Sequence, residues 1–203
     1  MKITKIEKFK GKTLGVYFEE EEPVFVNSEI VAEFHLKEGM NIPESAVEQI
    51  IKANDTRRAR ERALYLLDAR DYSYTELFKK LEVNYDEDIC YEVLNSLAEL
   101  GVVDDRRYAQ RLGEYLIEKK RFGRYRAAME MKRRGLSKDL ISETLDKYDE
   151  DSVVRLYELV KEKYEQYLTD QKGVNRVKNA LVRKGFSYDD INAVIKTVLS
   201  EED

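Results

Sequence analysis

A side chain that moves protons or attacks an electrophile needs a partner, and this chain of 203 residues offers one histidine and one cysteine. His35 follows Ile30, Val31 and Phe34 at helical spacing, which places it as a packed residue on an apolar face rather than as a general base. Cys90 has no Lys, Arg or His beside it to lower its pKa, so a buried and inert thiol is expected. One Cys excludes an internal disulfide, and one Cys with one His cannot supply four N/S ligands to a structural zinc. No phosphate loop, dinucleotide fingerprint or nucleophile elbow is present. The acidic run at 19–22 reads as a solvated loop rather than a metal site, because adjacent carboxylates rarely converge unaided. Asp104 and Asp105 precede the periodic residues Tyr108, Ala109, Leu112, Tyr115 and Leu116, where carboxylates complement a helix N-terminus. No catalytic residue, metal or cofactor is therefore expected. The chain does not read as an enzyme.

The bases are better placed to bind. Overall, 36 Lys and Arg stand against 41 Asp and Glu, a net charge of −5. Residues 106–138 reverse the balance with twelve bases against three acids, +9, while 1–56, 57–105 and 139–203 carry −4, −5 and −5. The candidate binding residues are Arg106, Arg107, Arg111, Lys119, Lys120, Arg121, Arg124, Arg126, Lys132, Arg133 and Arg134, interleaved with Tyr108, Phe122 and Tyr125. Solvated helix faces ordinarily alternate sign. A cluster of one sign repels itself, and is expected to dock a polyanion or an acidic protein surface. Phosphate contacts need such bases but carry no base code. The second reading is sequence-specific binding of duplex DNA. Residues 126–145 resemble a helix-turn-helix, with Gly135 six before Ile141, although Met131 stands where that motif takes a small residue.

Elements must hold these residues in place. With 42% apolar residues, 14 Tyr and 7 Phe, the chain can bury a core, and its length allows one domain or two small ones. Residues 1–27 alternate in part (Ile3, Ile6, Phe9; Leu14, Val16, Phe18), which predicts two strands around Gly11 and a third after Pro23. From Ser28, read as an N-cap, a short helix runs towards Gly39. Further helices are predicted over 44–70, 73–81, 86–100, 105–120, 124–134, 138–148, 151–168, 174–184 and 188–199. In the segment 151–168, Val153, Leu156, Tyr157, Val160, Tyr164, Tyr167 and Leu168 form one apolar stripe.

Residues 126–141 align without gaps on 176–191, and 76–94 follows more loosely. A period of this size signals stacked units of three helices, none able to bury its face alone. Gly135 and Gly185 then take helix C′ positions with positive φ, and Ser137 and Ser187 cap the helices that follow. The expected fold is mainly α, an elongated array of three tandem three-helix repeats preceded by a small β-rich (α+β) N-terminal domain. The divisions fall at 1–55, 56–104, 105–149 (the basic repeat) and 150–203. The N-terminal domain, at −4, reads as a cap on the stack and not as a DNA binder. No apolar run approaches the roughly 18 residues of a membrane span, and the first residues alternate rather than forming a signal peptide. A cytoplasmic monomer is the expectation.

The segment LAELGVVDDRRYA at 97–109, then Arg121-Phe122-Gly123, then Arg133-Arg134-Gly135-Leu136-Ser137, resembles the RecX family, the regulators of the RecA recombinase. Glu76, Leu77, Leu81 and Tyr85 fit that family's first repeat. The resemblance covers 57–200, and 3–54 looks like the N-terminal extension of the longer members. Where many members carry Pro after Gly123, this chain has Arg124. The resemblance implies a non-enzymatic, cofactor-free regulator in homologous recombination, DNA repair and the SOS response. Such proteins bind the RecA filament in its groove on single-stranded DNA, and restrain strand exchange, ATP hydrolysis and co-protease activity. On that reading the basic middle repeat anchors electrostatically with weak direct DNA binding, while the outer repeats bridge successive RecA subunits.

Overall fold

The computed structural model describes residues 1–201, and its fold is mostly helical with a small antiparallel sheet at the N-terminus, as expected. The chain packs as two compact units, Met1–Asp71 with Leu77–Val103, and Tyr72–Glu76 with Asp104–Asp203.

In the first unit, β1 (Ile3–Lys10), β2 (Thr13–Phe18) and β3 (Val24–Asn27) pair in that order, each antiparallel to the next. Alternation sends Ile3, Val16 and Val26 to one face, where they meet Ile30, Leu36, Ile42, Val47 and Ile50. Those partners come from α1 (Ser28–Glu33), the loop after it, and the long α2 (Glu44–Ala69), which also packs on α4 (Glu87–Glu99). Asn54 is buried within α2, and its side-chain oxygen accepts the Asn27 N–H at 3.0 Å, tying helix to sheet.

Two local expectations are corrected here. The N-cap of α1 is Asn27, whose side chain accepts the Glu29 N–H at 2.9 Å; Ser28 is already helical, and its own N–H bonds Lys12 O at 2.8 Å. His35 is exposed rather than packed. The helix stops at Glu33, and His35 takes φ +52° so that Leu36 can turn into the core and Gly39 N–H can reach Ile3 O. Cys90 is fully buried on α4 with its Sγ 3.6 Å from Tyr85 O, and burial, then nearby carboxylates, pushes its thiol pKa up.

The second unit holds α5 (Asp105–Glu114), α6 (Arg124–Arg133) and α7 (Lys138–Asp146), then α8 (Ser152–Lys163), α9 (Gln171–Lys184) and α10 (Tyr188–Ser200). Each triplet has its own core, one built on Leu112, Met131 and Leu145, the other on Leu156, Leu181 and Ile191. The stripe expected over 151–168 is shorter than its spacing implied. Because α8 ends at Lys163 and a 3₁₀ turn Glu165–Tyr167 follows, Tyr167 is exposed, and so is Val153; Leu159 is buried instead. Asp170, accepting Gly173 N–H at 2.6 Å, starts α9 three residues before the expected position.

Gly135 and Gly185 have φ of +80° and +91°, and Ser137 and Ser187 accept the Leu140 and Asp190 N–H groups, as the repeat demanded. These turns also join the triplets. Gly123 N–H donates to Lys184 O at 2.8 Å and Tyr125 N–H to Gly185 O at 3.2 Å, so the last carbonyls of α9 meet the first amides of α6. The last carbonyls of α6 meet the start of α3 (Tyr74–Leu81) in the same way: Ser73 Oγ donates to Arg134 O, and Thr75 Oγ1 to Gly135 O at 3.2 Å. A Cβ on Gly185 would overlap the backbone of Arg126, one on Gly123 would overlap Gly185 O, and one on Gly135 would overlap Thr75. The joints require glycine for contact as well as for φ.

Candidate functional site

Most of the expected binding residues sit on exposed surface, but many are already held within the chain. Arg106 pairs with Glu143, Arg107 with Asp104 at 3.9 Å, and Arg121 with Glu162. Arg124 bridges Asp146 at 2.6 Å and Asp149 at 2.7 Å, while Arg126 and Arg133 share Glu130 at 2.8 and 2.7 Å. Arg111 also has a partner within the fold. Lys119, Lys120 and Lys132 have no carboxylate partner among the described residues. The +9 of 106–138 therefore overstates the field. Across 104–149 the count is thirteen bases against nine acids, +4. Exposed pairs of this kind contribute about 0–1 kcal/mol each, so a phosphate oxygen can replace the carboxylate at little cost.

Arg134 belongs to a different class. Its guanidinium donates to Tyr108 Oη at 2.8 Å, the Tyr108 hydroxyl donates to Glu76 at 3.0 Å, and Glu76 lies 3.8 Å from Arg134. Burial, more than its neighbours, raises the Tyr108 pKa. Asp104 accepts Arg107 N–H at 2.9 Å and so caps α5, while Asp105 reaches Tyr74 N–H at 2.7 Å. The two adjacent carboxylates thus serve two helix starts. Burial raises the Asp105 pKa, opposed by that amide and helped by Asp104 and Glu76. These groups seal the Gly135 joint, and Arg134 is a structural residue there.

Cations gather around Phe122, some paired (Arg121 with Glu162, Arg126 with Glu130) and some, Lys120 and Lys184, without a carboxylate among the described residues. Beyond Glu114 the helix widens into a π-helical turn, Tyr115–Lys119, and Arg121 then takes φ +52°. A left-handed arginine costs on the order of 1–3 kcal/mol, and such strain concentrates at sites that use it. Here it turns the chain so that Phe122 N–H reaches Leu116 O at 3.0 Å and Phe122 faces two cations, Arg126 at 5.6 Å and Lys184 at 5.5 Å from its ring centre. Lys184 Nζ donates to Lys120 O at 3.3 Å, and the Lys120 ammonium lies 5.4 Å from the Tyr115 ring. Burial, then the positive charges of Lys163 and Arg121, hold the Lys184 ammonium below the usual lysine range. Tyr125 stands 70% exposed beside this group. Bases and rings alternate here, an arrangement suited to a phosphodiester strand or an acidic, aromatic-bearing protein surface.

Lys163 and Lys184 were missed because they lie in a segment of net −5. The repeat could have exposed one of them, since aligning 176–191 on 126–141 puts Lys184 where Arg134 stands. Among the described residues, no three His, Cys, Asp or Glu side chains group to hold a metal ion, and no helix is long and apolar enough to cross a membrane.

Known structures share the architecture. A crystal structure titled "Crystal structure of regulatory protein RecX" superposes with a TM-score of 0.71 over 95% of this chain and 98% of that one, at 21% identity, which speaks for the fold. RecX from Lactobacillus salivarius superposes with a TM-score of 0.65 over 72% of this chain and 97% of that chain, at 25% identity. A regulatory protein RecX from a Geobacillus species is 31% identical over 205 residues, spanning 98% of this chain and 70% of the relative. The chain belongs to the RecX family. The RecX regulatory protein of Clostridioides difficile is 28% identical over 204 residues, 98% of this chain and 96% of that protein. Family models for the second and third three-helix domains of RecX match residues 104–145 and 149–195, which take in α5–α7 to within one residue and α8, α9 and the first half of α10. The joint at Gly185 and the cation group around Phe122 therefore lie between the residues matched by two RecX domains.

Proposed function

We propose that this RecX chain is a non-enzymatic regulator that docks in the groove of a RecA filament on single-stranded DNA and restrains strand exchange, ATP hydrolysis and co-protease activity. The observation that carries this reading is the group of cations around Phe122, Lys120, Arg121, Arg126, Lys163 and Lys184, which the fold brings together without matching carboxylates for all of them. Lys119, Lys132 and the exposed Arg133 extend it, and Arg124 could join by exchanging Asp146 and Asp149 for phosphate. The triplets contact successive RecA subunits, and the protein acts as a cytoplasmic monomer. Acidic stretches on either side discourage indiscriminate wrapping of DNA, so recognition depends on the protein partner.

The alternative, autonomous reading of duplex DNA through a helix-turn-helix, would place α7 in the major groove. The α7 segment carries Asp139, Glu143 and Asp146, and the last two already hold Arg106 and Arg124. Reading bases there rests mainly on donors such as Arg, Asn and Gln, so this helix is poorly equipped. The test measures RecA ATP hydrolysis on single-stranded DNA with and without the purified protein, alongside binding to scrambled duplexes. Falling ATP hydrolysis, with duplex binding that is weak, sequence-blind and steeply salt-dependent, is the expected result. Unchanged hydrolysis together with a preferred duplex site at physiological salt would overturn the reading.

A further inference from the structure

The outer face of the N-terminal sheet carries chemistry that neither the core nor the cations around Phe122 use. We propose that it is a stacking platform for single-stranded nucleic acid, with bases against Phe9 and Phe25 and phosphates against Lys10 and Arg58.

Strand alternation that buries Ile3, Val16 and Val26 turns Phe25 the other way, and the irregular pairing between Lys8 and Lys10 swings Phe9 beside it. The ring centres lie 4.6 Å apart, tilted by 51°, with Phe9 63% and Phe25 42% exposed. Between them, at the centre of β2, is Gly15. A Cβ there would stand 2.9 Å from the Tyr17 ring and 3.3 Å from that of Phe25, so two rings lean into the space that glycine leaves. Glycine weakens a strand interior, and its place here is explained by the rings rather than by a turn. Two exposed rings that serve no core, on a rigid sheet, form the kind of surface on which nucleobases stack regardless of sequence.

The charge around them selects a polyanion over an apolar protein surface. The net −4 of residues 1–56 conceals an asymmetry: residues 1–12 hold five lysines against Glu7 alone, while the acidic run 19–22 falls at the opposite end of the sheet. On this face Lys5 neutralises Glu7, which stands opposite Gly15; Lys2 pairs with Glu19 and Lys12 with Glu29, while Lys10, opposite Thr13, is without a carboxylate among the described residues. Past Phe25 the face continues into a hollow of about 320 Å³ lined by Thr13, Asn27, Arg57 and Arg58. Arg57 is tied to Glu29 and Glu61, but Arg58 is 60% exposed with one distant partner, Asp55 at 3.5 Å. A strand laid across the sheet would meet Lys10, two rings and then the Arg58 guanidinium. No RecA is needed for this, so the inference stands apart from the filament reading.

The chain has no tryptophan, so Phe9→Trp installs a single reporter on the platform. The full-length variant is titrated with oligo(dT) of about twenty nucleotides and, separately, with inorganic polyphosphate. Expected is saturable quenching of the tryptophan by oligo(dT) and none by polyphosphate, because only a base can stack. In the otherwise natural chain, Phe9→Ala with Phe25→Ala should lower oligo(dT) affinity by at least about tenfold, with the thermal midpoint unmoved because both rings are exposed. Unquenched tryptophan at saturating oligo(dT), an affinity indifferent to the two Ala substitutions, or no oligo(dT) binding at all would each overturn it.

Discussion

Gly135 and Gly185 occupy the same place in consecutive triplets, yet the joints they make differ in chemistry. At Gly135, the preceding helix start offers hydroxyls, from Ser73 and Thr75, and the neighbouring arginine is absorbed by Tyr108 and Glu76. At Gly185, the preceding start offers backbone amides, from Gly123 and Tyr125, and the neighbouring base, Lys184, meets Arg121 and Lys163 instead of a carboxylate. Carbonyls at a helix C-terminus facing donors at the next N-terminus satisfy both sets of orphan groups and align the dipoles head to tail. Geometry therefore repeats while charge does not. One joint is electrostatically closed, and the other keeps an excess of cations that an external anion can neutralise.

The largest effects should come from breaking the joints themselves. Gly185→Ala combines a left-handed backbone with overlap onto the Arg126 backbone, and should cost more than about 3 kcal/mol in urea unfolding. Gly135→Ala should cost less, because the overlapping atoms belong to the Thr75 side chain. Gly11→Ala, at φ +56° with nothing within 4 Å, should cost only about 1 kcal/mol and isolates the backbone contribution. If Gly185→Ala matched Gly11→Ala, the close packing of the joint would be wrong.

Next come the groups that close the first joint. Asp105→Ala strands the Tyr74 N–H, and Tyr108→Phe strands part of the Arg134–Glu76 network. Each should lower unfolding free energy by roughly 1–3 kcal/mol. Neither substitution should change the salt dependence of polyanion binding, which we propose for the other joint. A changed slope would show that the two joints are not separable in function.

A pH experiment sharpens the contrast. Burial, then the charges of Lys163 and Arg121, hold the Lys184 pKa below the ordinary lysine range in the folded chain, so in the alkaline range below that ordinary value the unfolded chain binds more protons and stability rises with pH. Comparing the wild type with Lys184→Met over that range should show the wild type gaining on the variant as pH increases. A constant difference would mean that neither burial nor the neighbouring cations hold the Lys184 ammonium down. The smallest effects are the caps shared by both triplets: Ser137→Ala and Ser187→Ala should each cost about 1 kcal/mol, and should cost alike.

The turns were legible because their information is local. A glycine, a serine two residues on, and helical periodicity on both sides fix φ, the cap and the helix directions without knowledge of the rest of the fold. The order of strands and helices followed for the same reason. Pairing was not legible. That Arg124 would meet Asp146 and Asp149, or that Arg134 would be absorbed by Tyr108 and Glu76, depends on how helices distant in sequence pack, and a running count of charge is blind to it. Lys184 illustrates the converse, since its chain neighbours give no hint that it completes a cluster some sixty residues earlier. His35 misled because a helical spacing continued past the point where the backbone turned left-handed.

The most direct test reverses the cations of the open joint. RecA ATP hydrolysis on single-stranded DNA is followed against rising concentrations of the wild-type protein and of the triple variant Lys119→Glu, Lys120→Glu, Lys184→Glu, with helicity and thermal midpoint checked first. The folded variant should need at least about tenfold more protein for half-inhibition. Inhibition at wild-type concentrations by that folded variant would contradict it.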